Sequence, residues 1–149
     1  MKGQAADDYT KIVIGYDGSD NAKRALARAA GLAKATGASL HVIVAVNTIV
    51  PMYGTTAPYY PADYADDVIK EGKRLLAEAM NAAKEETKNA TGSVLDGHPA
   101  EMILDTASRE HADLIVLGRR GISGVERFLL GGVSSSVVDH SKCDVLIVK

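Results

Sequence analysis

The residue types best suited to bind a ligand are concentrated in one stretch, "GRRGISGVERFLLGGVSSS", which covers residues 118–136. It follows directly on the apolar run "ADLIVL" and contains several glycines, two adjacent arginines and three consecutive serines. Glycine permits positive φ angles, and its backbone can approach a ligand closely because it has no Cβ atom, which Gly118 and Gly121 would allow. The stretch is therefore either a long surface loop or a cradle for an anion.

The second half of the stretch adds groups that bind anions. Gly131 and Gly132 stand just before a helix that the sequence predicts over about residues 133–140, with hydroxyl groups from Ser134 and Ser135 on its first turn. Unpaired N–H groups at a helix N-terminus, together with the helix dipole, favour an anion there. Across the whole stretch, three arginines supply charge that can bind phosphate in a bidentate manner: Arg119, Arg120 and Arg127. Solvation and helix capping would also explain these residues, but two glycine pairs next to a helix start favour phosphate binding.

Asp17 is the second candidate ligand residue. It ends the apolar run "KIVIGY" and is followed by Gly18. A carboxylate at the end of a strand is well placed to accept hydrogen bonds from a ribose hydroxyl or an amino group. Its alternative role is to cap the first helix, which Ser19 or Asp20 could do instead. We therefore favour the ligand role.

The rest of the chain predicts the elements that position these residues. Five apolar segments read as buried strands, namely 11–18, 39–46, 91–97, 112–118 and 144–149. Amphipathic helical segments alternate with them, capped by Ser19 at one start and Gly37 at one end, and with Pro99 in a first turn. The long helix is predicted from about Asp66 to Asn89. This pattern indicates an α/β fold with a single doubly wound, five-stranded parallel sheet covered on both faces.

The sheet topology follows from where such folds bind ligands. In a doubly wound sheet the site lies beyond the carboxyl ends of the strands, where the strand order reverses. The loops after strands one and four carry glycine and polar groups together, so we expect them to be neighbours. The predicted strand order is 3-2-1-4-5.

Composition limits the classes of protein that this chain could be. Its 149 residues suit one domain, and 46% hydrophobic and 24% charged residues are ordinary for a soluble globular protein. A formal charge of -2 gives no general attraction to nucleic acid or anionic membranes. The N-terminus has no signal-peptide core and no apolar run approaches a membrane span. With Cys143 as the lone cysteine and no ligand spacing among the histidines, we expect a cytoplasmic protein without a metal site.

Two segments are expected to differ from the compact core. Residues 1–10 are predicted to be a flexible N-terminus. Residues 47–65 hold three of the four prolines and four of the six tyrosines, which predicts a long loop rather than a regular element. It is either a lid or contact surface, or a merely variable connection.

With these residues placed, the chain resembles the universal stress protein family. The phosphate motif of that family is glycine, two residues, glycine, nine residues, then glycine followed by Ser or Thr. Here Gly118, "RR", Gly121, "ISGVERFLL" and Gly131 match it, whereas Gly132 replaces the Ser or Thr. The segments "KIVIGYDGSDNAKRAL", "GHPAEMILDTA", "ADLIVLGRRG" and "CDVLIVK" also resemble the family in order. The likeness covers nearly the whole chain from Lys11.

The resemblance implies a Rossmann-like sheet of the adenine nucleotide alpha hydrolase type and a binding site for ATP or for AMP or ADP, with Mg²⁺ possible beside the nucleotide. The nucleoside would contact Gly15, Tyr16, Asp17, Ala45, Leu117 and Gly118. The phosphates would contact Arg120, Gly121, Gly131, Gly132, Val133, Ser134 and Ser135. Loss of the hydroxyl at position 132 would weaken binding by up to roughly tenfold, for which Ser134 could compensate. The family also implies a homodimer through the C-terminal strand.

The leading hypothesis is a regulatory, adenine-nucleotide-binding protein of the stress response. The alternative is a dimeric stress protein that acts through protein contacts with little or no nucleotide binding. An enzyme is disfavoured because no catalytic carboxylate pair, nucleophile–base pair or Walker-type Gly-Lys-Ser is present, although slow ATP hydrolysis stays open. "YDGSD" matches the loop of ATP pyrophosphatases poorly, and a receiver domain built on Asp17 and Asp96 leaves "GRRG" unexplained.

Overall fold

A computed structural model of the chain describes residues 8–51, 58–59, 62–119 and 132–149. Several residues that the sequence analysis singled out lie outside these ranges: Arg120, Gly121, Arg127 and Gly131. Most of the predicted N-terminal segment and part of the 47–65 loop also lie outside them.

The main sheet has five strands, and every neighbouring pair is parallel. The strands are β1 (Lys11–Gly15), β2 (Ser39–Val46), β3 (Ala90–Asp96), β4 (Leu114–Gly118) and β5 (Asp144–Val148). The helices are α1 (Asp20–Thr36), α2 (Ala62–Glu86), α3 (Pro99–Arg109) and α4 (Gly132–His140). The strand order is β3-β2-β1-β4-β5, which confirms the predicted 3-2-1-4-5 topology.

The sheet is buried on both faces because its central strands are apolar throughout. In β1, Ile12 and Ile14 pack with α1 and α2, whereas Val13 packs with α3 and α4 on the opposite face, and all three are 0% exposed. Burying a side chain of this size contributes about 1.5–3 kcal/mol. No helix within the described ranges is long and apolar enough to cross a membrane.

Three residues that the sequence predicts to begin or end helices, Ser19, Gly37 and Pro99, do so in the structure. Ser19 caps α1, because its side chain accepts a hydrogen bond from the Ala22 N–H at 3.1 Å. Gly37 ends the helix at φ 76°, and its N–H donates to the Ala33 carbonyl. Pro99 occupies the first turn of α3. These local signals determine the length and direction of the loops that lead into and out of the sheet.

The structure differs from the sequence prediction around α2. The helix begins at Ala62, earlier than the predicted Asp66, and Asp63 lies in its first turn, where a carboxylate interacts favourably with the helix dipole. It ends at Glu86 rather than Asn89, and of the next three residues Thr87 and Asn89 have low helix propensity. Within the predicted 47–65 loop, Val50–Pro51 and Pro58–Tyr59 form a two-stranded antiparallel ladder. The prolines do not prevent it because a strand of two residues requires few backbone donors.

Candidate functional site

A cavity opens at the carboxyl ends of β1 and β4, where the strand order reverses. Its described lining comes from the loop after β1, the end of β2, the start of α3, the end of β4 and the first turn of α4. The lining residues are Gly15, Tyr16, Asp17, Ser19, Ala22, Ile43, Ala45, Pro99, Ile103, Leu117, Gly118, Val133 and Ser134. The loops after strands one and four are thus neighbours at the switch point, which confirms the prediction from the sequence.

The floor of the cavity is apolar and depends on a missing side chain at Gly15. A Cβ atom at this position would lie 2.6 Å from Cδ1 of Ile103 and 2.9 Å from Cδ2 of Leu117. Glycine therefore lets these two side chains meet beneath the end of β1. Together with Ile43 they make an apolar floor of the kind that accepts a flat ring.

One wall of the cavity is the exposed backbone edge of β2. The Tyr16 N–H donates to the Ile43 carbonyl at 2.8 Å, immediately after β1 ends at Gly15. Alternate residues of a parallel strand direct their N–H and C=O groups to the same neighbour. Ala45 therefore presents its peptide groups on the side of Ile43 O, beyond the last residue of β1. These groups can recognise the edge of a ligand.

Asp17 lies at the mouth of the cavity with an exposed side chain. Its Oδ1 accepts a hydrogen bond from the Ser19 N–H at 3.0 Å, which forms a tight turn after β1. The helix cap itself is supplied by Ser19. The turn therefore holds the Asp17 carboxylate at the end of the central strand, and the capping role considered for it belongs to its neighbour.

Gly118 lines the cavity, and its missing side chain also serves the packing of the fold. Among the described glycines, positive φ angles occur at Gly18 and Gly37 and not at Gly118. A Cβ at position 118 would lie 2.8 Å from the Asn21 carbonyl carbon and 3.0 Å from the Ala22 nitrogen. The missing side chain thus lets the end of β4 pack against the backbone of the first turn of α1.

Ser134 is buried and links two elements of the site. Its Oγ donates to the Gly118 carbonyl at 2.8 Å, which ties the first turn of α4 to the end of β4. The Ser134 hydroxyl therefore already donates its hydrogen bond within the protein. This argues against the expectation that Ser134 compensates for the phosphate donor missing at position 132. Val133 lines the cavity beside it, whereas Gly132 and Ser135, in the same turn, are not among the described lining residues.

Sequence reasoning missed several lining residues: Ser19, Ala22, Ile43, Pro99 and Ile103. The sequence predicts a capping role for Ser19 and a helix start at Pro99, and neither signal indicates a cavity. The apolar periodicity identifies Ile43 and Ile103 as core residues, but it cannot show which core side chains border a cavity.

His41 lies outside this cavity, in a polar cluster beside β3. Its Nδ1 is 2.8 Å from Thr91 Oγ1 and its Nε2 is 3.0 Å from Ser93 Oγ. Burial lowers the pKa of His41, against the opposing effect of the Glu110 carboxylate, which is 3.9 Å away and pairs with Lys11. The neutral imidazole is therefore the form that the folded protein favours.

This predicts a pH dependence of stability. As the pH falls below about 6.5, the unfolded chain takes up a proton at His41 that the folded chain resists. We expect the free energy of unfolding to decrease over that range by no more than about 1.4 kcal/mol per pH unit from this group. Urea denaturation between pH 7.5 and 5.5 would measure the slope. A His41→Gln variant should lose this contribution, and an unchanged slope in the variant would contradict the prediction.

Comparison with known proteins agrees with this geometry. The model of the Universal stress protein family matches residues 8–149. The universal stress protein YxiE of Bacillus subtilis (strain 168) is 37% identical over 147 residues, with coverage of 95% of this chain and 99% of YxiE. A crystal structure of a universal stress protein in complex with cAMP is 32% identical, with a TM-score of 0.74 and coverage of 96% of this chain and 99% of that one. The universal stress protein from Archaeoglobus fulgidus in complex with dAMP is 28% identical, with a TM-score of 0.70 and coverage of 95% and 99%. The chain therefore belongs to the universal stress protein family.

Proposed function

We propose that the cavity binds an adenine nucleotide and that the protein acts as a nucleotide-responsive regulator. The observation that carries the proposal is the shared lining of one cavity by the loop after β1 and the first turn of α4. The solved relatives in complex with cAMP and dAMP support an adenine ligand. ATP is the nucleotide that the phosphate motif favours.

The base and ribose suit the inner part of the cavity. The ring would lie on Ile43, Ile103 and Leu117, with its edge against the peptide groups of Ala45. A peptide N–H can donate to adenine N1 while a C=O accepts from the amino group. Guanine reverses both polarities, so this edge discriminates against it. Asp17 would accept hydrogen bonds from the ribose hydroxyls.

The phosphates suit the start of α4. The helix begins at Gly132, so its first N–H groups have no partners within the helix, and Val133 and Ser134 border the cavity there. This arrangement fits an anion. By the family motif, Arg120, Gly121 and Gly131 would complete the phosphate site. Mg²⁺, where present, would be held mainly by the phosphates and by Asp17.

The character of the site supports a regulatory role. Among the described residues that line the cavity, Asp17 supplies a carboxylate, but no partner side chain for acid–base chemistry stands with it. Binding without efficient turnover is the use that such a site supports.

We further propose a single domain over residues 1–149, a cytoplasmic location and a homodimer through β5, whose apolar edge would otherwise stay open.

Calorimetric titration tests the nucleotide proposal directly. We expect ATP, AMP and cAMP to give saturable heat with one site per chain, and GTP to bind more weakly because of the reversed edge polarity. No heat with any adenine nucleotide at millimolar concentration would reject the proposal. That result would favour the second candidate, a protein-binding factor with a vestigial pocket. Two observations support this candidate: Gly132 replaces the Ser or Thr of the phosphate motif, and the Ser134 hydroxyl is bonded to the Gly118 carbonyl.

Gly132→Ser is expected to tighten nucleotide binding. Within the described residues, a Cβ at position 132 would meet nothing within 4 Å, and Ser134 does not replace the missing donor. A neutral hydrogen bond contributes about 0.5–1.5 kcal/mol, so the affinity should rise by up to roughly tenfold. Titration with ATP would measure it, with Gly132→Ala as the matched control without a hydroxyl. Equal affinities for the two variants would show that a hydroxyl at position 132 does not contact the phosphates.

A further inference from the structure

The residue after β1 connects the two faces of the sheet. Tyr16 borders the nucleotide cavity, and it also belongs to the core cluster on the face of α1 and α2, where it is 4% exposed. The turn that carries Asp17 is therefore anchored on the side of the sheet opposite α3 and α4. The helix that anchors it is α2.

The first anchor is a strong hydrogen bond. The Tyr16 hydroxyl donates to Oε1 of Glu78 at 2.5 Å. Burial and this carboxylate raise the pKa of Tyr16, and the same bond lowers the pKa of Glu78. The donor thus keeps its proton and the acceptor its charge near neutral pH. Two cations flank the Glu78 carboxylate: Arg74 Nη1 donates to its Oε2 at 3.3 Å, and Lys23 Nζ lies 4.0 Å from its Oε1.

The second anchor is a close packing contact one helical turn away. Gly18 adopts φ 80°, and a Cβ there would lie 2.6 Å from Cδ2 of Leu75. Leu75 therefore packs directly on the backbone of the turn. Leu75 and Glu78 lie three residues apart, on one face of α2. Their contacts fall on the residues immediately before and after Asp17 in the chain.

We infer that α2 positions the nucleotide-binding turn, with Glu78 acting through Tyr16 as a positioning residue that touches no ligand. The inference rests on the proposed nucleotide function. When a binding-competent conformation is only partly populated, the apparent affinity falls in proportion to that population. The two anchors keep the turn, and with it the Asp17 carboxylate, in the competent conformation before the nucleotide arrives. Any displacement of α2 would therefore change nucleotide affinity, although α2 itself makes no contact with the nucleotide.

Nucleotide titration of anchor variants tests this inference. Tyr16→Phe keeps the ring and removes only the hydroxyl, and Glu78→Ala removes the acceptor. We expect each to weaken ATP binding by roughly three- to tenfold, and the double variant to be no weaker than the more affected single variant, because both remove one hydrogen bond. Glu78→Gln, which retains an acceptor, should recover much of the affinity. Glu85→Gln is the matched control, since Glu85 is exposed seven residues farther along α2, and it should bind like the unmodified protein.

A measurement without ligand separates this inference from the proposed function. The Ser19 N–H is bonded to Asp17 Oδ1, so its hydrogen exchange reports the conformation of the turn. We expect faster exchange at Ser19 in Tyr16→Phe than in Glu85→Gln, even if the unmodified protein binds no nucleotide at all. Unchanged exchange at Ser19, or additive losses of affinity in the double variant, would overturn the inference.

Discussion

Replacing Gly118 with alanine is expected to lower the free energy of unfolding by about 1–3 kcal/mol. The new Cβ would lie 2.8 Å from the carbonyl carbon of Asn21 and 3.0 Å from the Ala22 nitrogen. Both are backbone atoms of the first turn of α1, so no side-chain rotation relieves the overlap. Either β4 or α1 must shift, and the shift would also separate the two loops that line the cavity. Urea denaturation would measure the loss, and titration with ATP would show a weakened site.

The matched control is Gly132→Ala, in the same predicted phosphate motif. Within the described residues nothing lies within 4 Å of a Cβ at position 132, and its φ is not positive. Alanine there should leave the stability unchanged or raise it by up to about 1 kcal/mol, as expected for glycine replaced in a helix. Equal stabilities of Gly118→Ala and the unmodified protein would show that β4 and α1 are less closely packed than their geometry indicates.

Asp17→Asn should weaken nucleotide binding by roughly 10- to 100-fold, because a hydrogen bond to a charged group contributes about 1.5–3 kcal/mol. Asparagine keeps an oxygen that can accept from the Ser19 N–H, so the turn is preserved while the charge is lost. The effect should appear with adenosine as well as with ATP, since the lost contact is to the ribose. Calorimetric titration with both ligands measures it.

Asp20→Asn controls for the change in charge. Asp20 is exposed in the first turn of α1 and does not line the cavity. Removing a negative charge that lies outside the cavity lining should leave ATP binding unchanged or strengthen it slightly. If Asp17→Asn behaved like Asp20→Asn, Asp17 would act through its general electrostatic field or not at all, and the assigned ribose contact would be wrong.

The roles of Asp17 and Gly118 differ in how well they can be predicted from the sequence alone. The sequence identifies Asp17 because a carboxylate at the end of a strand is well placed to accept hydrogen bonds from a ligand, and this residue lines the cavity in the structure. Gly118 was also singled out, but for conformational freedom toward a ligand. Its contact is with Asn21, far away in the chain. A glycine that avoids a steric overlap and one that needs a positive φ are identical in the sequence.

The amino-acid sequence by itself determined three features: the order of strands and helices, the family, and the end of the sheet at which the cavity lies. Those features depend on local causes: apolar runs that bury strands such as β1, the cap at Ser19, the left-handed turn at Gly37 and the spacing of the glycine motif. Each can be evaluated from residues that are close in the chain.

Only the tertiary structure decided how the hydrogen-bonding capacity of the site is distributed. Ser134 donates its proton to the carbonyl of Gly118, 16 residues away, and Tyr16 donates to Glu78, 62 residues away. A hydroxyl in the sequence can equally bind solvent, a helix end or a ligand. Which partner it takes depends on the distances between elements packed from separate parts of the chain, where a difference of a few tenths of an ångström is enough to make or break a hydrogen bond. Those distances exist only in the folded protein.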